Sequence, residues 1–435
     1  MAEGISFAGD VKVSRFEIVG RNGNLDLTPF ILQIQIYEDI FAPFITGNVV
    51  LRESMDLVNK LPLAGEEFFN VHIHTPTFEG DNTKEIIGKF AVYKMTERSQ
   101  ITERSVGYTL HFVSMEGRVD IGKKIRSAFE GYPHEIAKKL IYDDELGLKT
   151  ERTVNVEDTS NSIKFVCNSW SPMKAINYCA SKSVNVDDSP TFTFFENRNG
   201  FNFISLTGLY KQNPIQHFVR DNYRRDPEDS GTRNIEQEYR RVSSIEQPVS
   251  FDFFERIKSG MFQAELTTYD FLTREFKKSR YNSLEEFSEL EHLNQYPMMS
   301  LNLFRDPGPD GDRLIADDVM VFHRNEHDSL HNNLSDVQMN DYYLKRRSLL
   351  AQAEAFKVTI EVPGRTDYTV GKVVELTTYR NEQIDERSES PVDKMMSGKY
   401  LIGAINHVVT SGDHRCYIEL IKESLMENFV GMDQS

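Results

Sequence analysis

Three histidines at intervals of four residues form the most suggestive group of metal-ligating side chains in the sequence. His323, His327 and His331 would share one face of a helix, and imidazole nitrogen is a common metal ligand. The group departs from the His-Glu-x-x-His pattern of zinc enzymes, and its surroundings are polar and rich in turn-forming residues. We therefore predict an exposed segment with scattered histidines and no metal site.

Two further groups have ligand-type side chains without the spacing of a metal site. His72 and His74 alternate on one strand and point the same way, but two ligands rarely make a site, so an outward polar face is predicted. The segment 306–312 is rich in aspartate and glycine but lacks the Asp-x-Asp-x-Asp-Gly spacing of a calcium loop. We predict a turn there.

Signatures of nucleophilic catalysis are nearly absent. Ser171 and Lys174 fit a bare Ser-x-x-Lys pattern, but the companion Ser-Asp-Asn and Lys-Thr-Gly motifs are missing. Serine before Pro172 is explained by helix capping, because its hydroxyl accepts an amide hydrogen and proline at the first helical position loses no donor. No Gly-x-Ser-x-Gly, phosphate-binding or dinucleotide-binding glycine motif occurs. We predict no catalytic residue, no cofactor and no enzymatic activity.

Composition sets the remaining limits. The chain of 435 residues is long enough for roughly three or four domains. Its formal net charge of −17 argues against general binding of nucleic acid, which needs clustered Lys and Arg. The three cysteines Cys167, Cys179 and Cys416 form no paired framework, and Cys416 alternates with apolar residues as a small core residue does. We expect a protein made in the cytoplasm, without signal peptide or membrane segment.

Both ends of the chain have the residue pattern of β-strands, and these strands would position any functional site. Residues 356–362 alternate between apolar and polar side chains, and β-branched runs follow at 368–377, 399–409 and 415–421. The last two runs flank the turn 410–413, which predicts a hairpin. Alternation at 32–37, 69–74 and 108–112 gives the N-terminus the same character. Each end therefore predicts a small antiparallel β-barrel.

The middle of the chain has a different periodicity. Ile121, Ile125 and Phe129 recur at helical intervals, and a second helix is predicted to begin at Ser171. A phenylalanine-rich hairpin follows at 191–206, with a tight turn that places Gly200 at positive φ. The fold class predicted is mainly β with α+β insertions: two small barrels and a mixed α/β middle region. The predicted domains are a first barrel (1–115), an α/β lobe (116–215), a linker and inserted mixed region (216–345), a second barrel (346–425) and a tail (426–435).

Several stretches, in this order, resemble the baseplate hub proteins of contractile-tailed bacteriophages of the T-even type. The segment 36–49, IYEDIFAPFITGNV, resembles the opening barrel of that family, and the sequence from Trp170 through the hairpin to Leu206 resembles its small lobe. The segments GKVVEL at 371–376, GKYLI at 398–402 and YIEL at 417–420 are similar to its second barrel. The segment 283–340 has no counterpart that we can place.

The resemblance implies a structural adaptor without catalysis. It implies a homotrimer in which each chain contributes two similar tube-like barrels, so that six barrels surround one axis. Such a ring would join a hexameric tail tube protein to a trimeric central spike protein, beside other baseplate proteins, with DNA only as passing cargo and no stable membrane association. The expected location is the virion, in the tail baseplate. Acidic side chains lining the bore would repel phosphate.

Three alternatives stay open at this stage. The chain could be the hub of another contractile injection machine, which genomic neighbours would distinguish. A cell-wall hydrolase predicts a fused lytic domain, and none is visible in the sequence. A receptor-binding or carbohydrate-binding module usually presents clusters of Trp and Tyr, and this chain has one Trp.

Overall fold

The computed structural model describes most of the chain and is dominated by strands. Residues 1–4, 22, 61–62, 221–234, 248–251, 270–273, 275, 299–316, 323–338, 381–391 and 428–435 lie outside the described part, as do the side chains of residues 253, 317–322 and 339–341. Across the described ranges, no helix is both long enough and apolar enough to cross a membrane.

The first β unit is built from strands that bury alternate residues, as the sequence pattern predicts. Ile34 and Ile36 are buried, and Phe16, Phe69 and Phe112 pack their rings together at centroid distances of 4.9 and 5.6 Å. The strand order is β3-β4-β7-β6-β5-β1-β2, all antiparallel. The strands are β1 (Lys12–Gly20), β2 (Gly23–Asp26), β3 (Ile31–Asp39), β4 (Thr46–Glu53), β5 (Phe68–His74), β6 (Ile86–Thr102) and β7 (Ser105–Ser114), with α1 (Leu57–Lys60) and 3-10 turns at Thr28–Phe30 and Pro76–Phe78.

A mixed α/β lobe follows, and most of its predicted elements are confirmed. Ser171 Oγ accepts a hydrogen bond of 3.3 Å from the Lys174 amide at the start of α4, and Gly200 has φ +139° in the predicted hairpin. The helix predicted from Ile121 to Phe129 is wrong beyond residue 122. The elements are α2 (Met115–Gly122), β8 (Ala128–Gly131), α3 (Pro133–Tyr142), β9 (Thr153–Val156), β10 (Ile163–Val166), α4 (Pro172–Lys182), β11 (Phe192–Asn197), β12 (Gly200–Ser205) and α5 (Leu206–Tyr210).

The second β unit combines strands from both sides of an inserted region. Its ladder runs β14-β19-β22-β21-β20-β13, and the insertion has its own three-stranded sheet, β16-β15-β18. The elements are β13 (His217–Arg220), α6 (Ile235–Arg240), β14 (Ser244–Glu246), α7 (Phe253–Lys258), β15 (Gln263–Tyr269), β16 (Phe276–Asn282), a 3-10 turn (Phe287–Glu289), β17 (Tyr296–Pro297), β18 (Asp317–Phe322), α8 (Met339–Ala353), β19 (Phe356–Pro363), β20 (Val373–Thr378), β21 (Gly398–Thr410), β22 (Asp413–Lys422) and β23 (Ser424–Leu425).

The predicted closure of each β unit into a barrel is not supported. The described strands of the two β units form one open sheet of 13 strands, because β3 pairs with β21 and so joins the two units edge to edge. In the second unit an isolated bridge from Val219 to Arg241 links the two ends of the ladder, and within the described residues it does not extend into a strand pair. The edge of β3 that could have closed the first unit is used for this junction instead.

The hydrophobic cores of the two β units interlock where they join. Ile40, at the end of β3, packs in the core of the second unit, while Val409, near the end of β21, packs in the core of the first. The lobe has a separate core that includes Phe192, Phe201 and Phe203. The predicted domain boundaries remain predictions, since a core cluster does not fix the residue at which a domain ends.

Candidate functional site

The seam, which we define as the pairing of β3 with β21, joins the two β units. Its register runs from Gln33 opposite Thr410 to Asp39 opposite Ala404. A bulge at Gly403 marks the position where the outer edge of β21 changes partner from β20 to β3. Two backbone bonds flank that change: Ile402 N donates to Lys372 O at 2.8 Å, and Ile40 N donates to Gly403 O at 2.9 Å.

Strand β6 of the first unit repeats the geometry of β21. It forms a hairpin with β7, pairs with β5 over its first six residues and carries a bulge at Tyr93, after which its outer edge departs from β5. Unlike β21, it has two further register shifts, between Thr96 and Ser99 and between Gln100 and Thr102. Val92 N donates to Glu67 O at 3.0 Å, the counterpart of the bond from Ile402 to Lys372. On β21 the edge beyond the bulge pairs with β3. On β6 the equivalent edge, residues 93–102, has no strand partner among the described residues.

Strand β14 of the second unit corresponds to β3 of the first. It pairs antiparallel with β19, with Ser244 opposite Glu361, as β3 pairs with β4 with Gln33 opposite Val50. Strand β14 also ends the path of the described sheet, so its outer edge has no ladder within that sheet. The chain therefore has one satisfied seam and, on opposite units, the two edges from which a second seam could be built.

The β11–β12 hairpin of the lobe contacts the junction of the two β units beside the seam. Glu196, at the end of β11, is buried, and its Oε2 atom accepts the Ile45 amide of the first unit at 2.9 Å. Arg152 donates to Glu196 Oε1 and to the carbonyl oxygens of Asn197 at 3.0 Å and Arg198 at 2.8 Å. The guanidinium thus holds both the carboxylate and the turn of the hairpin.

Arg198, at the tip of this hairpin, bridges the two β units. Its guanidinium donates to the Thr83 carbonyl oxygen in the first unit and to the Asp367 carbonyl oxygen, at 3.3 Å, in the second. Burial lowers the pKa of Arg198, while the nearby carboxylates of Glu38 and Asp367 oppose that shift. The first unit, the lobe and the second unit therefore meet at one side chain.

The buried carboxylates of the junction act as structural acceptors. Glu38 Oε2 accepts Thr369 Oγ1 at 2.5 Å and the Val370 amide at 3.2 Å, and burial raises its pKa. Burial raises the pKa of Glu196 to about 7, although the Arg152 charge acts in the opposite direction. Because backbone and hydroxyl donors already engage these oxygens, the arrangement fixes the relative position of the elements and does not form a nucleophile–base pair.

The Ser-x-x-Lys pair has a structural explanation. Ser171 caps α4, and the Lys174 ammonium lies 5.1 Å from the centre of the Trp170 ring, a cation–π arrangement. Four sequence features lie outside the described residues: His323, His327, His331 and the segment 306–312. Their predicted roles therefore stay predictions.

The prediction of an outward polar face for His72 and His74 is wrong for His74. His74 is fully buried, whereas His72 stays partly exposed. His72 Nε2 lies 2.8 Å from Glu85 Oε2, and Glu85 Oε1 accepts the Gly80 amide at 2.7 Å. These three side chains form a compact group in which Glu85 already has partners.

A second group of ligand-type side chains lies in the hairpin beside the seam. His407 Nδ1 and His414 Nε2 are 3.1 Å apart, and Cys416 Sγ lies 3.3 Å from the first and 3.5 Å from the second. All three side chains are fully buried, and burial lowers the pKa of His414 to about 3. Cys416 is the buried core residue that was predicted, but its histidine neighbours were missed. Strand register could have found them, since His407 is paired with Cys416 across a short turn.

Comparison with known proteins shows that the fold resembles those of two tail proteins. No family model matches the chain. The chain is 21% identical over 430 residues to the probable baseplate hub protein gp334 of Vibrio phage KVP40, with 95% of this chain and 94% of that protein covered. Its fold resembles a tail protein from Neisseria meningitidis MC58 (TM-score 0.52, 11% identity, 94% and 96% of the two chains) and a 43 kDa tail protein of prophage MuSo2 from Shewanella oneidensis (TM-score 0.52, 8% identity, 94% and 98%).

Proposed function

We propose that this chain is the structural hub of a contractile phage-tail baseplate, and that three copies form a closed ring of six β units. The observation that carries the proposal is the outer edge of β6 beyond Tyr93, which has no strand partner in the described part of the chain and is the counterpart of the β21 edge that pairs with β3. The name of the Vibrio phage relative and the fold of the two tail proteins support the same role.

The ring follows from repeating the seam between copies. In this proposal β14 of one copy pairs with the outer edge of β6 in the next, as β3 pairs with β21 inside each chain. The contact is heterologous, because two different edges meet, and a heterologous contact closes into a ring when its rotation is a fraction of a full turn. Three internal and three external seams would then alternate around one axis. Edge strands with unpaired backbone groups are suited to such pairing.

The ring explains the division of the chain into parts. Residues 1–115 and 346–425, together with β13 and β14, would supply the two ring-forming units. Residues 116–215 would be the lobe that fixes them to each other, and the rest of 216–345 an insertion outside the ring. Six similar units would match a hexameric tail tube protein, while three identical chains would match a trimeric central spike protein, with other baseplate proteins around them. DNA would pass the bore without binding, which the net charge of −17 favours.

The mass of the assembly in solution tests this proposal. Native mass spectrometry and sedimentation velocity of the full chain should show a trimer, and electron microscopy of that species should show a ring with six lobes. Replacing both cations of the β6 edge, Lys94→Glu with Arg98→Glu, should shift the trimer to monomer, since both side chains are exposed at the proposed seam. A monomer at high micromolar concentration, or a trimer without a six-lobed ring, would overturn the proposal.

A matched control separates the seam from a general effect of charge. Lys124→Glu with Lys138→Glu makes the same change of charge at two exposed positions of the lobe, away from both edges. This variant should stay trimeric. If both double variants dissociate to the same extent, the β6 edge is not the contact between copies.

A further inference from the structure

Three metal-ligand atoms converge at one buried point in the hairpin formed by β21 and β22. The atoms are His407 Nδ1, His414 Nε2 and Cys416 Sγ, each within 3.5 Å of the other two. None of the three side chains is accessible to solvent. This group has no part in the proposed ring contact, so its chemistry stands independently of the proposed function.

We propose that His407, His414 and Cys416 bind one zinc ion. In a tetrahedral site with Zn–N near 2.05 Å and Zn–S near 2.3 Å, two nitrogen ligands lie about 3.4 Å apart and a nitrogen and a sulfur about 3.6 Å apart. The observed separations of 3.1, 3.3 and 3.5 Å approach these values, with the shortest between the nitrogens. Binding displaces the thiol proton to solvent, and the fourth position is left for water.

The β21–β22 hairpin brings these three ligands together in the absence of a metal ion. His407 lies directly opposite Cys416 in the ladder, and His414 precedes Cys416 by two residues, on the same face of β22. The tight turn that contains Gly412 at φ +82° brings the two strands together only a few residues away. Imidazole and thiolate are the ligand types that select zinc over calcium and magnesium, which prefer oxygen.

Hydrogen bonding alone does not account for three mutual contacts. Two neutral imidazoles and one thiol can form at most two hydrogen bonds among these three atoms, because a protonated ring nitrogen cannot also accept. One of the three short separations would then join atoms that do not attract each other. A metal ion engages one lone pair from each atom at the same time, which accounts for all three distances.

The surroundings hold the His414 ring in place. Gly364 lies against the His414 ring so closely that an added Cβ would be 2.3 Å from Cγ, and the Gly364 amide donates to His414 O at 2.7 Å.

The other group of ligand-type residues is a weaker candidate. In the group of His72, His74 and Glu85, the carboxylate already pairs with His72 at 2.8 Å and accepts the Gly80 amide. The three atoms of the hairpin group have no such competing carboxylate. Since His407 also lies opposite Ile36 in the seam, the zinc ion would fix the hairpin at the position where the second unit meets the first.

Metal analysis of untagged protein, purified without chelator from zinc-supplemented cells, tests the proposal. Elemental analysis should give one equivalent of zinc per chain. Protein produced with cobalt in place of zinc should show the near-ultraviolet charge-transfer band of thiolate bound to cobalt, which reports on the cysteine ligand without any substitution. Folded protein that contains less than about a tenth of an equivalent of either metal would overturn the proposal, as would bound cobalt without that band.

Variants then identify the ligands. Cys416→Ala and His407→Ala should each lose the metal and the cobalt band, whereas Cys179→Ala, which removes an equally buried cysteine in α4, should retain both. If the Cys416→Ala protein still holds one equivalent of metal, the site lies elsewhere, and His72→Ala would show whether the other group is responsible. If the variants do not fold, the cobalt band of the unsubstituted protein decides the question.

Discussion

Thr75 and Thr366 are hydrogen bonded to each other reciprocally across the two β units. The Thr75 amide donates to Thr366 Oγ1 at 3.1 Å, and the Thr366 amide donates to Thr75 Oγ1 at 3.1 Å, with both residues fully buried. Each hydroxyl is the acceptor for a backbone group that water cannot reach. The junction is therefore held by polar bonds as well as by the seam.

Thr366→Val should destabilise the protein by about 1–3 kcal/mol, because it leaves the buried Thr75 amide without an acceptor while keeping the volume of the side chain. The midpoint of urea unfolding measures the effect. Thr366→Ser keeps the hydroxyl and should lose less. Equal losses for the two variants would mean that the methyl group, and not the hydrogen bond, contributes the stability.

Gly200→Val should destabilise the lobe by more than about 1 kcal/mol. The residue has φ +139°, and an added Cβ would lie 2.1 Å from the Thr153 carbonyl oxygen on the neighbouring strand. Gly412→Val is the matched control, because Gly412 also has positive φ but no atom within 4 Å of an added Cβ. Thermal unfolding should show the larger loss for Gly200→Val, and the reverse order would contradict the close approach of β9 to β12.

The stability of the protein should fall as pH rises from about 4.5 to about 7, through Glu196. Burial raises the pKa of this carboxyl from 4.5 to about 7 in the folded state, so the folded protein binds the proton more tightly than the unfolded chain does. The contribution is present in full below pH 4.5 and is lost above pH 7, on the order of 3 kcal/mol in total. Glu38 acts in the same direction.

Urea unfolding of the Glu196→Gln variant at pH 5 and pH 8 checks this assignment. The variant should show a smaller decrease between the two pH values than the unsubstituted protein. Glu135→Gln, at an exposed position on α3, should leave the decrease unchanged. A decrease of the same size in Glu196→Gln would assign the pH dependence to other groups.

Lys422 should make the stability of the protein rise with pH, in a higher pH range than that of Glu196. Its ammonium is buried between the rings of Phe356 and Tyr400, and burial lowers its pKa from 10.5 to about 7. The unfolded chain then binds more protons between pH 7 and 10.5, so stability rises with pH over that range. In Lys422→Met this rise should be reduced when unfolding is compared at pH 7 and pH 9, whereas exposed Lys399→Met should keep it.

Gly364→Ala should disturb the hairpin that carries the histidines. The added methyl group would overlap the His414 ring, so the ring or the backbone must move, at a cost of about 1–3 kcal/mol. Gly403→Ala is a milder comparison, because its nearest neighbour is a side-chain atom of Ile421 at 3.3 Å. Unfolding midpoints of the two variants should differ in that order, and cobalt-loaded Gly364→Ala should also lose the thiolate band.

Local patterns predicted local structure well. The capping serine and Pro172 fixed the start of α4, and the phenylalanine alternation with Gly200 fixed the hairpin of the lobe. The helix predicted through Ile125 and Phe129 failed because apolar residues spaced by four also fit separate short segments. There Ile125 forms an isolated bridge with Trp170, and Phe129 lies in β8 beside β10.

The sequence pattern could not predict which strands pair when they are far apart in the chain. A barrel and an open sheet have the same alternation of buried and exposed residues, and the difference depends on whether the edge of β3 meets its own unit or β21, about 370 positions later. The hairpin group is different, since the register of the predicted turn at 410–413 could have shown that His407 lies opposite Cys416. His74 alternates as a surface residue would, yet it is fully buried.

The exchange of Ile40 and Val409 between the two cores has a consequence for biosynthesis. The ribosome completes the first unit hundreds of residues before it makes the strand that carries Val409. Until that strand emerges, the early part of the nascent chain keeps an incomplete interior and an unpaired outer edge of β3, so the first unit cannot reach its mature form before β21 is made.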